Sequence, residues 1–217
     1  MPSINVEDYL KHIYYLQEEG DAVTTSSLAG QLNIASASVT DMVKKLSGQH
    51  YLRHSPYRGV QLTEKGRRSA LKIIRKHRLW EMFLSEVLHF GWDEIDEEAE
   101  KFEHIMSDKM EERIDEVLGF PRVDPHGDPI PAKNGTVKNI RAFPLSDAPE
   151  GNSVRVLRVN DANPELLQYV SSIGLSLNKR LSVKQRIKFD KSLIIKIGSK
   201  EIAISTVAAE NIFVESV

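Results

Sequence analysis

Residues 24–46 read Thr24-Thr25-Ser26-Ser27-Leu28-Ala29-Gly30-Gln31-Leu32, then Asn33-Ile34-Ala35, then Ser36-Ala37-Ser38-Val39-Thr40-Asp41-Met42-Val43-Lys44-Lys45-Leu46. The first run opens on hydroxyl residues that can accept from free helix amides and continues with Leu28 and Leu32 at i and i+4, so it predicts a short capped helix. Asn33-Ile34-Ala35 supplies a tight turn. Ser36 opens a second helix whose apolar residues Val39, Met42, Val43 and Leu46 share one side. Its other side is small and polar (Ser36, Ser38, Thr40) and ends in Lys44 and Lys45, as close approach to phosphates and base edges requires. Two short helices about such a turn predict a helix-turn-helix, the second helix being the major-groove reader.

Next along the chain, Tyr51-Leu52-Arg53-His54, the turn Ser55-Pro56-Tyr57-Arg58-Gly59 and Val60-Gln61-Leu62-Thr63 predict a β-hairpin wing with a basic tip. Capped helices that merely pack would account for each feature singly; helix pair, hairpin and local basicity together point to DNA. Before this block, Tyr9, Ile13 and Leu16 predict a first helix. After it, Ala70, Ile73, Ile74 and His77 form a second apolar stripe. Phe102, Ile105, Met106, Met110, Ile114 and Leu118 form a third, at helical spacings of three and four. Six of the nine prolines then fall between 121 and 149, which predicts a connector without long regular elements. Beyond it the period shortens: Val154, Val156 and Val159; Leu181, Val183 and Ile187; Leu193, Ile195 and Ile197; Ile202 and Ile204; Ile212, Phe213 and Val214. Five short strands and one helix near Leu166 to Ile173 predict a small barrel. The fold class is therefore α+β.

The net charge of −2 hides a strong asymmetry. Residues 1–76 carry 11 Lys and Arg against 7 Asp and Glu, residues 77–150 carry 8 against 18, and residues 151–217 carry 10 against 6. A nucleic-acid reader joined to a cation-binding module would have this pattern, and so would a solvated acidic helix. No stretch is apolar enough for a membrane span, and the start, Met1-Pro2-Ser3-Ile4-Asn5-Val6-Glu7-Asp8, has neither basic nor apolar leader features. A soluble, cytoplasmic protein is expected. There is no cysteine, so disulfides and thiolate metal sites are excluded.

Glu100, Glu103 and His104 stand at i, i+3 and i+4, so their side chains leave one helical face within reach of one cation. His77 and Glu81 form a second pair at i and i+4, and Asp8 lies on the amphipathic first helix. Salt-bridging surface helices use the same spacings, and the residues alone leave both readings open. An enzyme is a third possibility, since a di-metal oxidase also gathers carboxylates and histidines on helices. That architecture needs paired Glu-x-x-His motifs, whereas Lys101 and Ile74 stand three residues before His104 and His77. No nucleophile motif or phosphate loop is present either, so no enzyme activity is expected. A winged-helix regulator answering a small organic ligand is the remaining rival.

Four stretches carry a resemblance: Val6-Glu7-Asp8-Tyr9-Leu10-Lys11-His12-Ile13-Tyr14, Arg75-Lys76-His77-Arg78-Leu79-Trp80-Glu81, Glu97-Glu98-Ala99-Glu100-Lys101-Phe102-Glu103-His104-Ile105-Met106-Ser107-Asp108, and Pro125-His126-Gly127-Asp128-Pro129-Ile130-Pro131. Along its whole length the chain resembles the diphtheria toxin repressor family of metal-dependent repressors, in its manganese-type, three-domain form. The resemblance implies a winged helix-turn-helix domain over 1–72 and a helical dimerisation and metal-binding domain over 73–131. A linker over 132–151 and an SH3-like β-barrel over 152–217 complete the implied organisation. It also implies a homodimer that binds double-stranded operator DNA when metal-loaded and controls metal-uptake genes.

By position, the resemblance implies one metal site of Asp8, Glu100, Glu103 and His104. It implies a second of His77, Glu81, Asp124, His126 and Asp161, with Asp124 standing where some relatives have cysteine. Two sites per subunit are expected. Iron-type members have methionine and cysteine at the positions of Asp8 and Glu100; two hard carboxylates favour Mn²⁺, with Fe²⁺ the alternative. Lys11 stands where manganese members lacking a barrel add a glutamate, and an ammonium cannot ligate, which argues against a closely spaced binuclear cluster. The residues expected to face DNA are Thr25, Ser27, Ser36, Ala37, Ser38, Thr40, Asp41, Lys44 and Arg58, with Ser38 and Thr40 at phosphate-contacting positions.

Overall fold

The computed structural model describes residues 4–18, 20, 22–55 and 59–217, so Arg58 lies outside the described residues. The chain forms two compact units. One comprises Met1–His77, Phe102–Ser107 and Pro131–Thr136; the other comprises Arg78–Lys101, Asp108–Ile130 and Val137–Val217.

The first unit holds α1 (Ile4–Glu18), α2 (Thr25–Leu32), α3 (Ser36–Gly48), the hairpin β1 (Leu52–Ser55) and β2 (Gly59–Leu62), and the start of α4 (Glu64–Glu86). Thr24 and Ser27 close a reciprocal cap on α2: the Thr24 hydroxyl accepts from Ser27 N while Ser27 Oγ accepts from Thr24 N. The helix stops at Asn33, whose left-handed φ of 51° an asparagine tolerates better than most residues. One face of α3 is buried through Val39, Val43 and Leu46, and Leu10, Ile13, Leu28, Leu52 and Val60 are buried in the same unit. The hairpin is antiparallel, with Leu52 opposite Leu62 and Ser55 opposite Gly59. Gly59 has φ +66° and its backbone passes so close to Val23 that an added Cβ would lie 2.3 Å from the Val23 carbonyl oxygen.

The third helical stripe is broken in two. α5 (Ile95–Glu103) ends before His104, and α6 (Asp108–Val117) restarts after Ser107. The spacing of Phe102, Ile105, Met106 and Met110 suggested continuity, yet Ile105 is 70% exposed and Met106 is buried. Ser107 stands at the position before a new helix whose first turn holds Asp108 and Glu111, a combination that favours a fresh start.

In the second unit an antiparallel sheet has strand order β3-β8-β4-β5-β6-β7, with β3 at Phe143–Pro144, β4 at Ser153–Val159, β5 at Arg180–Arg186, β6 at Leu193–Ile197, β7 at Lys200–Ile204 and β8 at Ile212–Ser216. α7 (Pro164–Ser172), capped by Asn163, and α8 (Thr206–Glu210) accompany it. All five expected strands are present; the short β3 and α8 are additions. A bulge between Val156 and Arg158 explains why the buried residues of β4 run Val154, Val156, Val159 rather than strictly alternating. The core gathers Val154, Val156, Val183, Ile195, Ile204, Ile212 and Val214, with Leu167 and Val170 from α7.

Candidate metal centres and nucleic-acid interface

Within the first unit, α1 and the end of α5 bring Asp8, Glu103 and His104 together. His104 Nε2 is 2.9 Å from Asp8 Oδ1 and 3.4 Å from Glu103 Oε1. Its other ring nitrogen, Nδ1, lies 2.9 Å from Glu7 Oε2. Glu100 precedes Glu103 by one turn of α5, so both carboxylates leave the same side of that helix.

Glu103 is fully buried, and both its oxygens are engaged: Lys11 Nζ donates to Oε1 at 2.6 Å and His77 Nδ1 pairs with Oε2 at 2.5 Å. Burial by itself would raise the Glu103 pKa. The hydrogen bond from His77 and the positive charges of His77 and Lys11 reverse this and hold it below its ordinary value. His77, assigned from the sequence to the second site beside Glu81, thus has a partner in the first that no local spacing indicated.

The second cluster lies within the second unit. Glu81, from α4, meets Asp124 and His126 of the Asp124–Asp128 turn, and Asp161 follows β4. Gly127 makes the turn possible: at φ +95° its backbone lies so near Leu157 that a Cβ would sit 2.0 Å from the Leu157 carbonyl oxygen. Val159 N then donates to His126 O at 2.9 Å, fastening the turn to β4. Asp124 Oδ1 accepts from the amides of His126 and Asp128, both at 2.9 Å, and Oδ2 faces Arg78 Nε at 3.2 Å. Burial and the Glu81 carboxylate push the Asp124 pKa well up, against the pull of Arg78.

The His126 ring is fully buried and stacks on Trp92, with centroids 5.6 Å apart. Its Nε2 lies 2.9 Å from the Trp92 carbonyl oxygen, which directs Nδ1 toward Glu81 Oε1 at 3.5 Å and Asp161 Oδ2 at 3.7 Å. Burial lowers the His126 pKa, but the Glu81 and Asp161 carboxylates and the Trp92 carbonyl outweigh it and raise it to about 9. Burial and repulsion from Glu81 and Asp128 raise Asp161 to about 6.

Both clusters fit a divalent cation. They offer carboxylate oxygen and imidazole nitrogen and no sulfur, the donor set of borderline-to-hard metals. Ligands bound about 2.2 Å from one ion lie about 3.1 Å apart at octahedral angles and about 3.6 Å apart at tetrahedral ones. At 3.5 and 3.7 Å, the Nδ1 contacts of His126 match the wider of these spacings and are too long for good hydrogen bonds. His104 and His126, the candidate imidazole ligands, each have the second ring nitrogen on an oxygen, Glu7 for His104 and the Trp92 carbonyl for His126, an arrangement that orients metal-binding imidazoles.

On α3, Ser36, Ala37, Ser38, Asp41 and Lys44 are exposed. Thr40 is half-buried and its hydroxyl donates to the Ser36 carbonyl at 2.9 Å, so it must rotate to donate elsewhere. Thr25 is half-buried on the first turn of α2, and the Ser27 hydroxyl is committed to the helix cap.

Comparison with known proteins matches this architecture segment by segment. Residues 1–60 match the model of the iron dependent repressor N-terminal DNA binding domain, residues 63–132 the iron dependent repressor metal binding and dimerisation domain, and residues 143–216 the FeoA domain. The iron-dependent repressor IdeR of Mycobacterium leprae is 30% identical over 97% of this chain and 96% of its own length. The chain belongs to the diphtheria toxin repressor family. This repressor also superposes on a solved manganese-dependent transcriptional repressor in complex with manganese, with a TM-score of 0.90 and 40% identity over 98% of this chain and all of that one. A structure of ScaR with bound Cd²⁺ covers both chains completely at 34% identity and a TM-score of 0.83. The repressor is thus a metal-dependent transcriptional regulator with a DNA-binding domain, a dimerisation domain and an SH3-like FeoA domain. Among the described residues no helix is long and apolar enough to cross a membrane.

Proposed function

We propose that the protein binds double-stranded operator DNA as a homodimer when loaded with Mn²⁺, with Fe²⁺ the alternative, and thereby represses metal-uptake genes from the cytoplasm without any enzymatic activity. The observation that carries the reading is the convergence of His104 Nε2, Asp8 Oδ1 and Glu103 Oε1. A divalent cation bound there supplies charge neutralisation and directional bonds to oxygen and nitrogen. Asp8, with Glu103 and His104, would hold it, and Glu100 would join from the same side of α5. Asp8 belongs to α1, so its engagement by Glu103 and His104 ties the helix-turn-helix to the end of α5. Only the tied population would present two recognition helices at the spacing of two half-sites.

Glu81, Asp124, His126 and Asp161 would form the second site, with His77 on the adjoining turn of α4. A solved relative in complex with manganese and another with bound Cd²⁺ support metal binding by this chain, and the carboxylate-rich, sulfur-free donors of the two clusters support Mn²⁺. Ser36, Ala37, Ser38, Thr40, Asp41 and Lys44, with Thr25, Ser27 and Arg58, would face the DNA. An anisotropy titration of a labelled metal-uptake promoter tests the whole reading: Mn²⁺ should confer tight binding that a chelator abolishes. Equal binding in chelator would remove the metal-sensing role.

A further inference from the structure

The cluster of Asp8, Glu103 and His104 has a cation of its own beside it. Lys11 leaves α1 three residues after Asp8, and its side chain is only 4% exposed. Its ammonium lies 2.6 Å from Glu103 Oε1. That oxygen is also the Glu103 atom next to His104 Nε2, at 3.4 Å, while Oε2 is taken by His77. Lysines are rarely buried without a partner, and a fully buried carboxylate is the partner here. An ammonium has three donors and no lone pair, so Lys11 cannot ligate a metal. It holds an oxygen that the metal needs and repels a second positive charge nearby.

We propose that Lys11 sets the metal affinity of this cluster: it is a tethered cation that competes with the divalent metal for Glu103 Oε1 and raises the metal concentration at which the site fills. The proposal rests on the metal-sensing reading of Asp8, Glu103 and His104. Its signature is a pair of opposite effects. Replacing Lys11 by an uncharged residue leaves the buried Glu103 with less compensation, which destabilises the metal-free protein. The same replacement frees Oε1, which strengthens metal binding. A lysine with a purely structural role would weaken both.

The test is a calorimetric Mn²⁺ titration of the full chain, in which the step lost on His104→Ala identifies this cluster. Lys11→Met should tighten that step by about tenfold or more, lower the metal-free melting temperature and enlarge the rise in melting temperature on adding Mn²⁺. Lys11→Arg, which keeps the charge, should stay close to the unmodified protein. If Lys11→Met does not fold, Lys11→Gln keeps a donor to Glu103 without the charge and should also bind Mn²⁺ more tightly. Unchanged or weaker Mn²⁺ binding in the uncharged variant overturns the role of Lys11 alone. The absence of any step dependent on His104 in the unmodified protein overturns the metal reading of the cluster, and this role with it.

Discussion

Glu7 Oε2 lies 2.9 Å from His104 Nδ1, and this contact leaves Nε2 as the ring nitrogen turned toward Asp8 and Glu103. Neighbours on α1 thus meet the two ring nitrogens of one imidazole, Glu7 at Nδ1 and Asp8 at Nε2. Glu7→Ala should therefore weaken Mn²⁺ binding at this cluster by about 10–100-fold, the usual cost of losing such an orienting partner. Calorimetric titration checks this, and circular dichroism should find the helical content unchanged. Undiminished affinity would mean that the ring is held by other contacts.

The Asp124–Asp128 turn depends on the absence of a side chain at Gly127. Gly127→Ala would place a Cβ against the Leu157 carbonyl at a φ that L-residues avoid, so we expect a loss of about 1–3 kcal/mol or more in the stability of the second unit. Chemical denaturation followed by the fluorescence of Trp80 and Trp92, both in that unit, measures it. Mn²⁺ binding by Glu81, Asp124 and His126 should fall in parallel, because the displaced turn carries two of those ligands.

His126 gives a pH dependence of defined sign. Its pKa is raised in the folded protein to about 9 from an ordinary 6.5, so the folded state binds the proton more tightly. In metal-free protein the resulting stabilisation is complete below about pH 6.5 and disappears as pH rises toward about 9. His126→Ala should abolish that slope in thermal melts. A ligand nitrogen must shed its proton, so Mn²⁺ affinity at this cluster should rise over the same interval. Flat melting temperatures between pH 6.5 and 9 in the unmodified protein would contradict this assignment.

On α3, Lys44 is exposed and its nearest carboxylate, Asp41, is a solvated neighbour 3.7 Å away, a pair of little energetic weight. If α3 lies in the groove, Lys44→Ala should weaken binding to every DNA sequence similarly and reduce the slope of log affinity against log salt by about 1. Substitutions at Ala37 or Asp41 should instead change which sequence is preferred. A shifted preference in Lys44→Ala with an unaltered salt slope would place Lys44 at a base edge.

What could be read in the sequence was local. The Thr24–Ser27 cap, the Asn33 stop and the buried face of Val39, Val43 and Leu46 all follow from spacing within a few residues. The β4 bulge was present too, hidden in the three-residue step from Val156 to Val159. The break at His104 was not, because the apolar stripe runs through it and only Ser107 and Asp108 argue for a restart. In the sites, spacing pointed to Glu103 and His104, with Asp8 on the first helix, and the resemblance grouped these three and supplied His126 by position. Glu7 bonding His104, His77 bonding Glu103 and Trp92 stacking on His126 join residues 97, 26 and 34 positions apart, and no periodicity encodes such pairs.

The turn that presents Asp124 has a consequence for oxidative chemistry. With its Oδ1 on two backbone amides, the Asp124 carboxylate stands where the resemblance implies a cysteine in some family members, and the chain has no cysteine anywhere. Peroxide converts a ligating thiolate to sulfenic and then sulfinic acid, and the higher steps are irreversible. Neither cluster offers it a sulfur atom. If these residues hold the metal, an oxidative burst that silences a thiolate-containing regulator by sulfur oxidation would find no thiolate to attack at either cluster.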